Sequence, residues 1–171
     1  TKPIITIIDK KKKKEGSHIA GITIQNGYPE HTLVHIAIGD NQIRKRLGEY
    51  LANQGKSLYS VIHPRAAIAA LSTIDAGCFI AANAIVAPNA IIGKGTIINH
   101  AAIVDHDCII GPWTHIAPNA TLGGGVQIGT GCLIGAGAVI LPQIHIGDYA
   151  VVGAGAVVTH SVAENQVVWG V

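Results

Sequence analysis

Residues 103–111 read IVDHDCIIG, a histidine between two carboxylates in an otherwise apolar run. An imidazole beside an acid can act as a general base: the carboxylate holds one ring nitrogen, fixes the tautomer and raises the basicity of the other. Asp105 or Asp107 could do this for His106. His100 stands one hexad earlier and His115 nine residues later, so a zinc site shared between subunits is the competing chemistry, with the acids behind the imidazoles. No His-x-x-x-His pair or thiolate ligand reinforces that option, and no metal is expected. The third option is a polar corner of a repetitive structure.

Such a structure is written in the sequence. Every sixth residue from Ile62 to Val158 is aliphatic, seventeen positions without an insertion. Four places further on, a second series from Ala66 to Val162 is nearly all small and takes in Cys78, Cys108 and Cys132. The cysteines therefore act as small buried hydrophobes and not as a redox or disulfide set. A period of six belongs neither to a helix nor to a simple strand. It predicts a mainly β fold, a parallel β-helix of hexapeptides, with the aliphatic residue inside and Gly, Asn, Pro or Asp at the turns. Three hexads close a coil of eighteen residues, so His106 and Gly124 should be stacked corner neighbours. In an acyl-transfer pocket the imidazole would take a proton and the glycine N–H would bind the developing oxyanion, with His115 as a second donor.

Ahead of the hexads the grammar changes. Ile4–Ile8 and Leu33–Ile38 are short apolar runs suited to buried parallel strands, and Leu58–Ile62 reads as a third. From Asn41, taken as the N-cap, to about Asn53, Ile43, Leu47 and Leu51 recur every four residues between charged ones, predicting an amphipathic helix. The expected organisation is a small, incomplete α/β Rossmann-like domain over 1–60, a β-helix over 61–163 and a tail over 164–171.

Composition narrows the classes. Apolar residues make up 49% and charged ones only 13%, with 21 glycines, which favours a repeat fold over a layered one. The net charge of +2 owes much to Lys10–Lys14, a solvated run, so no nucleic-acid surface is indicated. No apolar stretch approaches the ~18 residues of a membrane span and no signal peptide opens the chain, so a cytoplasmic setting is the default. The absence of Met, the start at Thr1 and the stop at Val171 lead us to expect missing segments at one or both ends.

The hexad array, together with IAIGDNQIRKRL (36–47), VIHPRAAIA (61–69), NHAAIVDHDCIIGPWTHIAPNATLGGGVQIG (99–129) and VVWGV (167–171), resembles one family along essentially the whole chain. This is the left-handed β-helix acetyltransferases that include sialic-acid O-acetyltransferases and bacillosamine-pathway sugar N-acetyltransferases. The resemblance implies left-handed coiling, against the usual right-handed crossover, and a homotrimer with acetyl-CoA between coils of adjacent subunits. It assigns His106 as general base, Asp107 as its acidic neighbour, and His115 with the Gly124 backbone around the thioester carbonyl. Gly135-Ala136 and Gly153-Ala154 fall along the coenzyme, Asn99 faces the acceptor, and Asp9 and Gly39 fall where relatives hold the nucleotide of a UDP-sugar.

Three departures from the family pattern stand out. A glycine- and histidine-containing loop that cradles phosphates would precede Thr1, and a Pro-Ala tail would follow Val171. Position 107 is Asp where some relatives have Glu, so a looser or water-mediated contact with His106 is expected. The implied reaction is acetyl transfer in a ternary complex to the 4-amino group of a UDP-linked amino-dideoxy sugar. O-acetylation of a sugar hydroxyl, as on a sialic acid, is the alternative enzyme. A non-catalytic trimeric scaffold and an interfacial-zinc hydratase are the alternatives of other classes.

Overall fold

In the computed structural model, which describes residues 7–8, 16–19, 22–25 and 33–169, seventeen two-residue strands run from Val61–Ile62 to Val157–Val158, one per hexad. The aliphatic clock residue is the second of each pair. Each strand lies parallel to the one eighteen residues on, as Ile85 to Ile103 and Ile103 to Thr121. Three hexads thus make one coil, and the chain winds a prism with three sheet faces. The first face begins at Val61–Ile62 and has seven strands, the second begins at Ala67–Ile68 and has six, and the third begins at Thr73–Ile74 and has five. The clock stops after Val158: Val151 pairs with Val167 and Ile146 bridges Val162, sixteen residues on in both cases.

The clock residues from Ile80 to Val152 are at most 3% exposed and form one continuous core with the small series. Burying each of these side chains is worth about 1.5–3 kcal/mol. The small series does more than fill space. Cys78, Cys108 and Cys132 donate their thiols to the carbonyls of Gly93, Gly123 and Gly147, and Thr96 and Thr114 donate their hydroxyls to Gly111 and Gly129, always fifteen residues ahead. Burial pushes the Cys78 and Cys132 thiols up to about 11, so they stay protonated.

Corners follow the same clock. Every sixth residue from Gly77 to Gly155 has a positive φ. Gly, Asn and Asp, Asp107 among them, adopt that conformation comparatively readily, whereas Ala101, Trp113, Gln143 and Tyr149 do so at a cost of about 1–2 kcal/mol each.

Contacts divide the chain into two compact units, 1–32 and 33–171. In the first, Ile22–Gln25 pairs in parallel with Ile7–Ile8 and antiparallel with His18–Ile19. Asp9, the Lys10–Lys14 run and Ile4–Thr6 lie outside the described residues, as do Gly170 and Val171. The second unit opens with a βαβ step: Leu33–Val34, the helix Asn41–Asn53, then Ser57–Leu58 parallel to the first strand. That step supplies the α/β character read from the sequence. Residues 35–40 are not a strand, because the Ile38 and Gly39 carbonyls accept from Arg44 instead of a ladder partner. Val61–Ile62 likewise separates from Ser57–Leu58 and joins the first face of the prism. Among the described residues, no helix is long and apolar enough to cross a membrane.

The helix corrects two expectations. Its N-cap is Asp40, whose carboxylate accepts from the Ile43 N–H at 2.8 Å. Asn41 instead reaches the carbonyls of Gly131 and Cys132. Nor is the buried stripe Ile43, Leu47 and Leu51; it is Arg44, Gly48 and Leu51, and Ile43 is 46% exposed. The helix rotates this way because the Trp113 ring fills the space beside Gly48, where a Cβ would lie 2.1 Å from the ring. Arg44 meanwhile finds backbone acceptors on the coil.

Candidate active site

The corner between the second and third faces stacks two columns of residues. Pro88, His106, Gly124 and Pro142 form one; Asn89, Asp107, Gly125 and Gln143 form the next. Hydrogen bonds from Asp107 N–H to the Pro88 carbonyl, Gly125 N–H to His106 and Gln143 N–H to Gly124 fix the stacking at 2.9–3.1 Å. His106 therefore lies over Gly124, as its eighteen-residue spacing requires. A Cβ at 124 would come within 2.6 Å of imidazole Cε1 and Nε2, so glycine is what makes room for the ring. Gly124 N–H has no acceptor among the described residues.

Of the two flanking acids, Asp107 holds the ring. Its Oδ2 accepts from His106 Nδ1 at 2.7 Å, while Asp105 Oδ1 caps the His106 backbone N–H at 2.7 Å. A carboxylate only accepts, so Nδ1 bears the hydrogen and Nε2 of the neutral ring is left with its lone pair. The contact is direct, not loose or water-mediated: both residues are neighbours on one corner, and the positive φ of Asp107 turns its short side chain back onto the ring. Asp107 Oδ1 in turn accepts from Asn89 Nδ2 at 2.9 Å. The hydrogen bond to Asp107, and then the charge of Asp105, hold the imidazole above its ordinary range. Asp107 is held below the usual carboxylate range by His106 first and Asn89 second. With side chains 59% and 56% exposed, the pair shapes reactivity more than stability.

A second cluster belongs to the corner between the first and second faces. Asn99, Ala117, Gly135 and Gly153 recur there every eighteen residues, beside His100, Pro118, Ala136 and Ala154. His115, on the first face, accepts from Asn99 Nδ2 through Nε2 at 3.0 Å. Burial, and then the charge of Arg44, push this imidazole down, so it is neutral at neutral pH and carries its hydrogen on Nδ1. Asn99 Oδ1 receives the His100 N–H and Nδ1, both at 2.8 Å. The glycines admit close backbone contact: a Cβ at Gly135 would lie 2.4 Å from the Ala154 nitrogen, and one at Gly153 would meet the Trp169 ring at 2.6 Å.

Within one chain, then, His106, Asp107 and Gly124 share one corner, while Asn99, His115, Gly135, Ala136, Gly153 and Ala154 gather at another. Gly39 sits just before the helix, its carbonyl accepting from Arg44; Asp9 is outside the described residues. Among those residues, no group of three or more His, Cys, Asp or Glu side chains gathers as a metal ion would need. Asn89 was missed in the sequence, although it lies eighteen residues before Asp107.

A hexad prism with an imidazole–carboxylate pair over a glycine notch defines a hexapeptide-repeat transferase. Two family profiles agree: "Bacterial transferase hexapeptide (six repeats)" matches residues 89–124 and 125–160, and "PglD N-terminal domain" matches 1–51. No curated protein matches significantly. Among solved structures, the chain is similar to a histidine-to-asparagine mutant of perosamine N-acetyltransferase from Caulobacter crescentus, in complex with CoA and GDP-perosamine. There the TM-score is 0.83 at 31% identity, over 86% of this chain and 74% of that one. It is also similar to the acetyltransferase domain of PglB from Neisseria gonorrhoeae in complex with acetyl coenzyme A, with a TM-score of 0.86, 32% identity and coverage of 94% and 80%. WeeI from Acinetobacter baumannii gives 0.86 and 30% over the same shares. The chain belongs to the left-handed β-helix family of acetyl-CoA-dependent sugar N-acetyltransferases.

Proposed function

We propose that this protein transfers the acetyl group of acetyl-CoA to the 4-amino group of a nucleotide-linked 4-amino-dideoxy sugar, with UDP as the nucleotide. The carrying observation is the His106 Nε2 lone pair over the Gly124 notch, with Asp107 occupying the other ring nitrogen. In a ternary complex the neutral amine attacks the thioester carbonyl and His106 Nε2 takes the proton. The Gly124 N–H and His115 stabilise the oxyanion; the C–S bond then breaks and the proton passes to the departing CoA sulfur.

We assign Gly135, Ala136, Gly153 and Ala154 to the coenzyme, Asn99 to the acceptor, and Asp9 and Gly39 to the nucleotide. On this assignment residues 1–60 bind the nucleotide-sugar, 61–163 carry out acyl transfer and 164–171 form a tail. Because the two clusters occupy different corners of one chain, the site is completed when the first corner of one copy meets the second corner of another. On this reading the protein works as a homotrimer in the cytoplasm, with a site at each interface.

The test is an acetylation assay with UDP- and GDP-linked 4-amino-dideoxy sugars and with free sialic acid. A 4-acetamido product from the UDP-linked amine, with one CoA released per product, is expected. Acetylation of the sialic acid hydroxyl alone would overturn the N-acetyl assignment, and preference for the GDP sugar would overturn UDP. Sedimentation should give three chains per particle.

Two further outcomes follow from the geometry. The raised His106 pKa means that more of the ring is protonated at a given pH, and only the neutral ring is a base. Turnover should therefore rise with pH along a limb centred above the ordinary imidazole value of about 6.5. Replacing Asp107 by Asn should move that limb down while slowing the reaction, which a kcat–pH profile checks. Gly124→Ala drives a Cβ into the ring, which swings away because it is the free end of an exposed side chain. Turnover should fall about 10²-fold with the melting temperature nearly unchanged.

A further inference from the structure

We propose that Asn89 is a positioning residue for the acetyl transfer: its side-chain amide holds Asp107 in the orientation that holds His106. The proposal rests on the reading of His106 as the base.

The His106–Asp107 bond joins adjacent residues on an exposed corner, where water competes for both partners, and bonds of that kind are weak and easily rotated. The carboxylate needs a second anchor to keep Oδ2 on the ring. Asn89 supplies one from the coil before, where the ~4.8 Å separation of stacked strands suits one short amide meeting one short carboxylate. Its Nδ2 donates to Asp107 Oδ1 at 2.9 Å, leaving Oδ2 for His106 Nδ1 at 2.7 Å. The nitrogen must face the carboxylate, since the amide oxygen would repel it. The relay is directional: Asn89 fixes Asp107, Asp107 fixes the tautomer, and the tautomer aims the Nε2 lone pair. Among the described residues the charged groups acting on the imidazole are Asp107 and Asp105; Pro88 and Asn89 before it and Gly124 and Gly125 after it bring none.

Asn89 also occupies a left-handed corner position, φ +61°. Asn89→Gly therefore removes the amide without straining the backbone. Two measurements test it: an NMR pH titration of the His106 ring, assigned by its loss in His106→Ala, and the kcat–pH profile. With the carboxylate released, the His106 pKa should fall toward the ordinary imidazole value and the acid limb should fall with it. Turnover should drop about three- to tenfold, the effect of losing one hydrogen bond, while KM for acetyl-CoA and the melting temperature hold. A His106 pKa and turnover equal to wild type would overturn the proposal. So would a His106 pKa that rises, showing that Asn89 only drains charge from Asp107, or a slower enzyme with a lowered melting point and an unmoved His106 pKa. The titration needs no acceptor sugar, so failure of the Asn89 relay is read separately from failure of His106 as base, which His106→Ala reports.

Discussion

His106→Ala should cut turnover by about 10²–10⁴ while acetyl-CoA still binds. The separation follows from where the groups lie. The imidazole is an exposed corner side chain over Gly124, and the clock residue Val104 below it is fully buried, so truncation removes a base without opening the core. Our coenzyme assignments fall on glycine and alanine backbone at the other corner, which the substitution leaves untouched. Calorimetric titration with acetyl-CoA should give a Kd within a few-fold of wild type. The residual rate would come from the oxyanion donors and from proximity alone. Turnover within tenfold of wild type would remove His106 from the mechanism. Loss of coenzyme binding together with activity would mean that the imidazole is a binding group and not the base.

The prism and the pairing of His106 with Gly124 were legible because the fold is periodic: one number, eighteen, converts sequence spacing into spatial adjacency. The same arithmetic reaches Asn89 from Asp107, but asparagine is so common at these left-handed corners that its type alone does not mark it; Asn83 and Asn119 share its conformation. Spacing alone does not choose between Asp105 and Asp107; the family resemblance is what pointed to Asp107. Their spacing from His106 is symmetric, and only the backbone breaks the symmetry, since Asp107 adopts a positive φ and Asp105 turns to cap the main chain. The helix was read with the wrong face inward because periodicity weighs Ile43 and Leu47 above an arginine and a glycine. Hydropathy carries no record of Trp113 lying sixty-five residues beyond Gly48, nor of carbonyls waiting on the coil for Arg44.

Arg44 carries the largest expected effect on stability. It is 1% exposed, and among the described residues no carboxylate forms an ion pair with it. Its Nε donates to the Gly95 carbonyl, Nη1 to Ile38 and Gly39, and Nη2 to Trp113, Thr114 and the Asn41 side chain, at 2.7–3.3 Å. Desolvation lowers its pKa to about 10, so the guanidinium remains charged at neutral pH. The planar fork matches acceptors on the connection before the helix and on two coils at once, which a point ammonium or an apolar chain of equal length cannot do. Arg44→Met should cost about 3–5 kcal/mol, the sum over several buried carbonyls left without donors, partly recovered by water and by the easier burial of a neutral group. Because coils of a solenoid depend mainly on their neighbours, the loss should be local. In a thermal melt followed by circular dichroism, the helical signal should be lost in a separate, earlier transition while the β signal persists. Arg44→Lys should fall closer to Met than to wild type. A single transition with an unchanged midpoint would show that Trp113 against Gly48, and not the guanidinium, docks the helix.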